Sequence, residues 1–255
     1  LGPMRHRLNL TIRGHCLANR VLIEDGRVVG LEVESGGKIQ RVDADNVILS
    51  AGTIQSPPIL LRSGIGSAED VATLGVDLIH ELPGVGHNLT DHCLAFLFCV
   101  PKEGVCDLTD PVMQVILRYA SDGGEANDMQ MYIFNYWDLS ELPEMREIFG
   151  VDLAFALGPD LQLPNSRGRL HVESVDLHAA PRIELNGLDD ELDRSRMREG
   201  MRIAWDIAHS PNIAKYWERI PLLDQTLIDD DDALDRYIWD TAWQNLHAVG
   251  TAKMG

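Results

Sequence analysis

Imidazole is the side chain that exchanges a proton near neutral pH without help from its surroundings, and the chain carries nine histidines. His6, His15, His80, His87, His171, His178 and His209 stand in no constellation of partners and read as packed or surface residues. His247 differs. It follows Asn245-Leu246 and precedes Val249-Gly250-Thr251, a strand-like approach that ends at a glycine. An imidazole presented there can serve as a general acid or base. Asp91 and His92 have the residue types of an acid–base pair, but as sequence neighbours they read as residues that fix a loop.

Metal chemistry finds little support. Cys16, Cys93, Cys99 and Cys106 lack C-x-x-C spacing and are not followed by paired histidines, so they read as free thiols, with no zinc site. Asp229 to Asp232 resembles an acidic metal site. Placed before Ala233-Leu-Asp-Arg-Tyr-Ile-Trp239, however, it is explained as an N-cap and a first helical turn that complements the helix dipole. A net charge of −18 at pH 7 opposes binding to nucleic-acid backbones or anionic membranes. No apolar run approaches the ~18 residues of a membrane span, and no basic-then-apolar leader opens the chain. A cytoplasmic location is the expectation.

The elements that must hold such chemistry are organised around Asn46 to Gly66. Val47, Ile48 and Leu49 form a short apolar run, the pattern of a strand covered on both faces of a parallel sheet. Ser50, Ala51 and Gly52 then leave room for a ligand or a neighbouring backbone. Ser56-Pro57 suits an N-cap and first helical position, with Ile59, Leu60 and Leu61 as the buried side of a short helix.

Before this stretch, Leu8 to Ile12 alternates like a half-buried strand. Arg20–Ile23 and Val28–Glu34 form a hairpin about Asp25-Gly26, and Ile39 to Val42 adds a third strand. Ala68 to Leu74 predicts a helix and Asp77 to His80 a strand. Beyond Leu94, mixed segments with loops rich in Gly, Pro and Asp indicate an α+β domain. Within it Met197, Met201, Ala204, Trp205 and Ala208 mark one face of a helix over Asp189 to Ala208. Neither Gly64-Ile-Gly66 nor Gly84-Val-Gly86 has the third glycine of a dinucleotide fingerprint.

Three stretches carry a family resemblance. Gly52-Thr-Ile-Gln-Ser-Pro-Pro-Ile-Leu-Leu-Arg-Ser-Gly-Ile-Gly66 resembles the second signature of the glucose-methanol-choline (GMC) flavoprotein oxidoreductases. Leu82-Pro-Gly-Val-Gly-His-Asn-Leu-Thr-Asp-His92 is similar to a loop of that family, and His247-Ala-Val-Gly-Thr-Ala-Lys-Met-Gly255 to its catalytic-histidine segment. They occur in the family's order.

The resemblance implies an α/β plus α+β fold. Residues 1–95 would be part of a Rossmann-like FAD-binding domain, 96–241 a substrate-binding domain with an antiparallel sheet and helices, and 242–255 a return segment carrying the catalytic histidine. It implies FAD as cofactor, with Ser50, Ala51 and Gly52 near its adenosine part, Ala18 meeting the adenine through its backbone, and Asn88 as a further flavin contact. His247 would be the base that takes a hydroxyl proton from a small-molecule alcohol while hydride leaves the same carbon for the flavin.

The electron acceptor stays open. The family's second catalytic residue, a His or Asn, would fall beyond Gly255, and its dinucleotide fingerprint upstream of Leu1, so the expectation is an internal fragment. Ala248 stands where the family usually has proline, and Leu246 where an aromatic is common. Two alternatives are a hydroxynitrile-lyase-type member, in which the histidine works without redox chemistry, and a binding module that no longer holds flavin.

Overall fold

The computed structural model describes residues 2–253. Met254 and Gly255, which close the catalytic-histidine segment of the resemblance, lie outside the described residues. In chain order the first elements are β1 (Leu17–Glu24), β2 (Arg27–Ser35), β3 (Lys38–Asp43), α1 (Gly52–Arg62), β4 (Ile65–Gly66), α2 (Ala68–Thr73), β5 (His80–Glu81), β6 (Cys93–Leu94) and β7 (Leu97–Pro101). They continue with β8 (Met113–Tyr119), β9 (Met129–Asp138), α3 (Pro143–Phe149), β10 (Leu153–Leu161), β11 (Arg169–His171), β12 (Arg182–Glu184), α4 (Glu191–His209), β13 (Trp217–Arg219), α5 (Gln225–Asp229), α6 (Asp231–Thr241) and β14 (Trp243–Gln244). Two compact units divide the chain, one built from residues up to 89, 168–185 and 249 onward, the other from 90–167 and 186–248. Residues 168–185, assigned from sequence to the substrate-binding stretch, thus cluster with the first unit.

In the first unit β1, β2 and β3 form an antiparallel sheet, and β4 pairs with β5 in parallel. The β1–β2 hairpin turns at Asp25-Gly26, both with positive φ (49° and 74°), as a two-residue primed turn requires.

Two sequence expectations for strands fail here. Leu8 to Ile12 is irregular, with Leu8 and Ile12 exposed, and Val47 to Leu49 makes no strand, with Ile48 89% exposed. An apolar run becomes a strand only where ladder partners exist, and among the described residues no segment pairs with either.

The helix start is also corrected. It lies at Gly52, with Ala51 as cap, so Pro57 and Pro58 fall inside α1 instead of opening it. A proline at position 57 cannot donate to the carbonyl of Thr53, and the buried hydroxyl of Thr251 donates to that oxygen instead, at 2.6 Å.

The second unit is a seven-stranded antiparallel sheet, with β10 at its centre between β9 on one side and β6 and β7 on the other. Pro159 sits in this central strand, where a proline normally costs a ladder bond. Its carbonyl accepts from Ala95, in the break between β6 and β7 where no strand needs its missing N–H.

α4 lies against one face of the sheet. Asp190 caps it by accepting from the Leu192 amide at 2.9 Å, and Met197, Met201, Ala204, Trp205 and Ala208 are buried as the periodicity predicts. Asp230 caps α6, accepting from the Ala233 amide at 3.0 Å, and Asp231 and Asp232 lie in its first turn as expected, whereas Asp229 closes α5. All four cysteines are free, Cys93 and Cys99 buried and the other two half-buried. No helix among the described residues is long and apolar enough to cross a membrane.

Candidate active site

Within the second unit, His247 is placed by the edge of the sheet. β14 pairs with β6, Trp243 opposite Leu94 and Gln244 opposite Cys93, and the Asn245 amide donates to the carbonyl of His92. The chain then turns at Leu246, held at φ 59°, and presents His247 with its side chain exposed.

One carboxylate oxygen fixes this geometry. Asp91 Oδ1 accepts from the backbone amide of His92 at 2.8 Å and from that of His247 at 2.9 Å. The two imidazoles meet edge to face, with ring centroids 5.3 Å apart and planes at 74°. Asp91 is therefore the loop-fixing residue expected from sequence, but what it fixes is a pair of histidines.

Behind His92 lies a half-buried polar cluster around the buried Asp160. Gln162 on the residue following β10 donates its amide to Asp160 and lies 3.2 Å from His92 Nδ1. Asn245 Nδ2 is 3.0 Å from the Tyr132 hydroxyl and 3.4 Å from Asp160 Oδ2. Asp160 has no exposed surface, and among the described residues its buried Oδ1 meets no hydrogen-bond partner.

Burial pushes the Asp160 carboxyl up to about 7, with the Gln162 and Asn245 amides opposing and the nearby Asp91 charge adding to the rise. Burial also lowers the His92 imidazole below its ordinary value, helped by His247 and opposed by Asp91. His92 is thus biased toward the neutral form. Beside this cluster Phe96, Phe134, Trp137 and the half-exposed Trp243 pack edge on, an apolar wall on the same unit.

Asp160, Gln162 and Tyr132 were not singled out in the sequence. One signal was present: Asp160 is the lone carboxyl inside the apolar run Leu153–Leu161, and a charge there needs a reason. Most of the remaining described histidines have ordinary partners. His87 pairs with Asp70, His171 with Glu184 and His178 with Glu34, and His209 packs on Trp205 and Trp217.

The first unit holds a cleft of about 610 Å³ lined by Leu49, Ser50, Gly52, Thr53, Ser56, Asn88 and residues 249–253. Ala51 caps α1, an eleven-residue helix, without a side-chain hydrogen bond of its own. Gly52 has φ 82° with open space where a Cβ would stand. Gly250, at φ 98°, closes against Asn88, whose carbonyl would lie 2.2 Å from an added Cβ. Small side chains and close backbone at the start of a helix fit a flat polar group such as a flavin nucleotide. Ser50, Gly52 and Asn88 line the cleft and Ala51 lies between two of them, whereas Ala18 sits on β1 opposite Val33, outside the lining.

Comparison with known proteins agrees with this architecture. Two family models, both described as GMC oxidoreductase, match residues 1–94 and 164–255. An uncharacterized GMC-type oxidoreductase in the thcA 5'region of Rhodococcus erythropolis is 32% identical over all of this chain and 48% of its own length. An oxygen-dependent choline dehydrogenase of Escherichia coli is 30% identical over all of this chain and 50% of its own. Among solved structures, pyridoxine 4-oxidase from Mesorbium loti superposes with a TM-score of 0.87 at 25% identity, over all of this chain and 50% of that one. A formate oxidase of Aspergillus oryzae shares the fold, with a TM-score of 0.84 at 21% identity over 98% of this chain and 52% of that one.

The chain spans about half the length of the curated relatives it matches. Its fold is α/β plus α+β, and with both of the family's models matched in order the chain belongs to the GMC oxidoreductases, a family of flavoproteins.

Proposed function

We propose that the protein oxidises a small-molecule alcohol with FAD as cofactor, and that His247 takes the hydroxyl proton. The observation that carries this reading is the clamp on His247: its backbone is tied to Asp91 while its ring stays exposed against a His92 that burial biases toward neutrality. A base must be positioned before its basicity is useful.

Asp91 holds the backbone on both sides of the imidazole pair, and His247 receives the proton on a ring nitrogen. Trp243, exposed and backed edge on by the buried Phe96, offers apolar surface for the carbon skeleton of a substrate. Ser50, Ala51, Gly52 and Asn88 would hold the cofactor, together with Gly250 and Thr251 from the same cleft. When bound, FAD supplies the acceptor for the hydride that leaves the carbinol carbon.

The test is His247→Ala in the full-length protein. Flavin content after purification should match wild type, because no cleft-lining residue is changed. Stopped-flow reduction of the flavin by an alcohol should slow by roughly 10²- to 10⁴-fold, the worth of one positioned general base. Wild-type reduction should quicken as pH rises, and the variant should lose that dependence. Reduction at near the wild-type rate with the same pH profile would make His247 a structural residue.

A further inference from the structure

The cluster behind His92 carries a second conclusion, which rests on the reading of His247 as proton acceptor and extends it. We propose that Arg118, Gln162 and Asp160 form a positioning chain that holds His92 as the neutral tautomer with its proton on Nε2.

The argument begins with the Gln162 amide, whose two ends have different hydrogen-bonding character. Its Oε1 lies 3.4 Å from Arg118 Nη2, a group that can only donate. Its Nε2 faces Asp160 Oδ2 on one side and His92 Nδ1, at 3.2 Å, on the other. Reversing the amide would set N–H groups against the guanidinium and oxygen against a carboxyl oxygen, so the orientation is fixed by its neighbours. Asn245 Nδ2 also approaches Asp160 Oδ2, at 3.4 Å. Any proton on Asp160 then belongs on Oδ1, the buried oxygen with no partner among the described residues, and Oδ2 keeps its role as acceptor.

With the amide so oriented, His92 Nδ1 meets a donor and must accept. A proton on that nitrogen would place N–H against N–H, so both the imidazolium and the Nδ1–H tautomer are disfavoured. The charged and titratable groups around the ring do not overturn this. Asp91, on the ring's own segment, has Oδ1 turned to two backbone amides. Asp160, from β10, has Oδ2 3.9 Å from Nδ1, beyond hydrogen-bond reach. Arg118, from β8, favours the neutral ring, as does His247 across the edge contact. Asp160 and Gln162 act through His92 and are positioning residues. The result is a second imidazole that offers a hydrogen-bond donor while its neighbour His247 accepts the proton.

The experiment is NMR of the full-length protein labelled in histidine, with long-range proton–nitrogen spectra reporting which ring nitrogens are protonated and His92→Gln used to assign the signals. In wild type at neutral pH, His92 should show a bare Nδ1 and a protonated Nε2. Gln162→Glu replaces the donor by a carboxylate, and it should move the proton to Nδ1 and raise the midpoint of ring titration by about 1–3 pH units. Gln162→Leu, which removes the donor without adding charge, should give a mixture of tautomers.

A wild-type His92 already protonated on Nδ1 overturns the proposal without any variant, and so does a Gln162→Glu protein whose ring signals and titration match wild type. These readouts do not involve turnover. Failure of His247→Ala to slow flavin reduction would therefore remove the base assignment alone.

Discussion

Replacing Asp91 by alanine tests the clamp at its centre. The carboxylate accepts two backbone hydrogen bonds, 2.8 Å from the His92 amide and 2.9 Å from the His247 amide. A hydrogen bond to a charged group contributes about 1.5–3 kcal/mol. The two do not count equally, because His247 is exposed and its amide can turn to water, whereas His92 is half-buried and its amide would be stranded. The stability loss should therefore be close to one such bond, about 2–3 kcal/mol.

The effect on rate should be larger than that suggests. Leu246 is held at φ 59°, a conformation costly for a residue with a branched side chain, and without Asp91 the turn should relax and carry the His247 ring with it. A displacement of about 1 Å costs roughly 10²-fold in a positioned reaction. Asp91→Asn keeps an oxygen acceptor and should recover most of both losses. Denaturant unfolding and stopped-flow flavin reduction on the full-length protein measure the two effects separately. An Asp91→Ala protein as stable and as fast as wild type would refute the clamp. An asparagine variant no better than the alanine one would show that hydrogen bonding to the amides is not what Asp91 contributes.

Three further outcomes follow from local geometry. Gly250→Ala should destabilise by more than about 2 kcal/mol, since its φ of 98° and the Asn88 carbonyl 2.2 Å from the new Cβ act together, while Gly52→Ala, with positive φ but open space, should cost only about 1 kcal/mol; equal thermal shifts would count against this. The Asp160 carboxyl rises from 3.8 to about 7 on folding, so the native state binds more protons than the unfolded chain in that window, and roughly 4 kcal/mol of stability should be lost as pH climbs from about 4 through 7. Asp160→Asn should abolish that component, read as the difference between the two unfolding profiles. Asp230→Ala should lower stability by about 1 kcal/mol through loss of the α6 cap, whereas Asp232→Ala, inside the first turn, should change it by only a few tenths through the dipole.

What the sequence revealed depends on how local the determining physics is. The Asp25-Gly26 turn, the α4 stripe and the capping role within Asp229 to Asp232 each involve residues within a few positions of one another, and the sequence shows all three, though not that Asp230 is the cap. α1 shows where local reading fails. Ser56-Pro57 has the chemistry of a helix start, yet the helix begins at Gly52, and Thr251, far along the chain, donates to the Thr53 carbonyl to which Pro57 cannot donate. Val47 to Leu49 fails for the converse reason: its apolar pattern is right, but no described strand supplies the partners that would make it one.

The candidate site divides in the same way. His247 could be chosen from its own segment, but its meaning depends on Asp91, which is 156 residues away and reaches it only because β14 pairs with β6. Asp160 joins them through the opposite side of the same strand, since β10 pairs with β6 at Leu94. Two adjacent residues dismissed as loop-fixing thus become the hinge of the site. One carboxylate orders the backbone of two histidines, and register across three strands, which the chain specifies only when folded, decides which histidines those are.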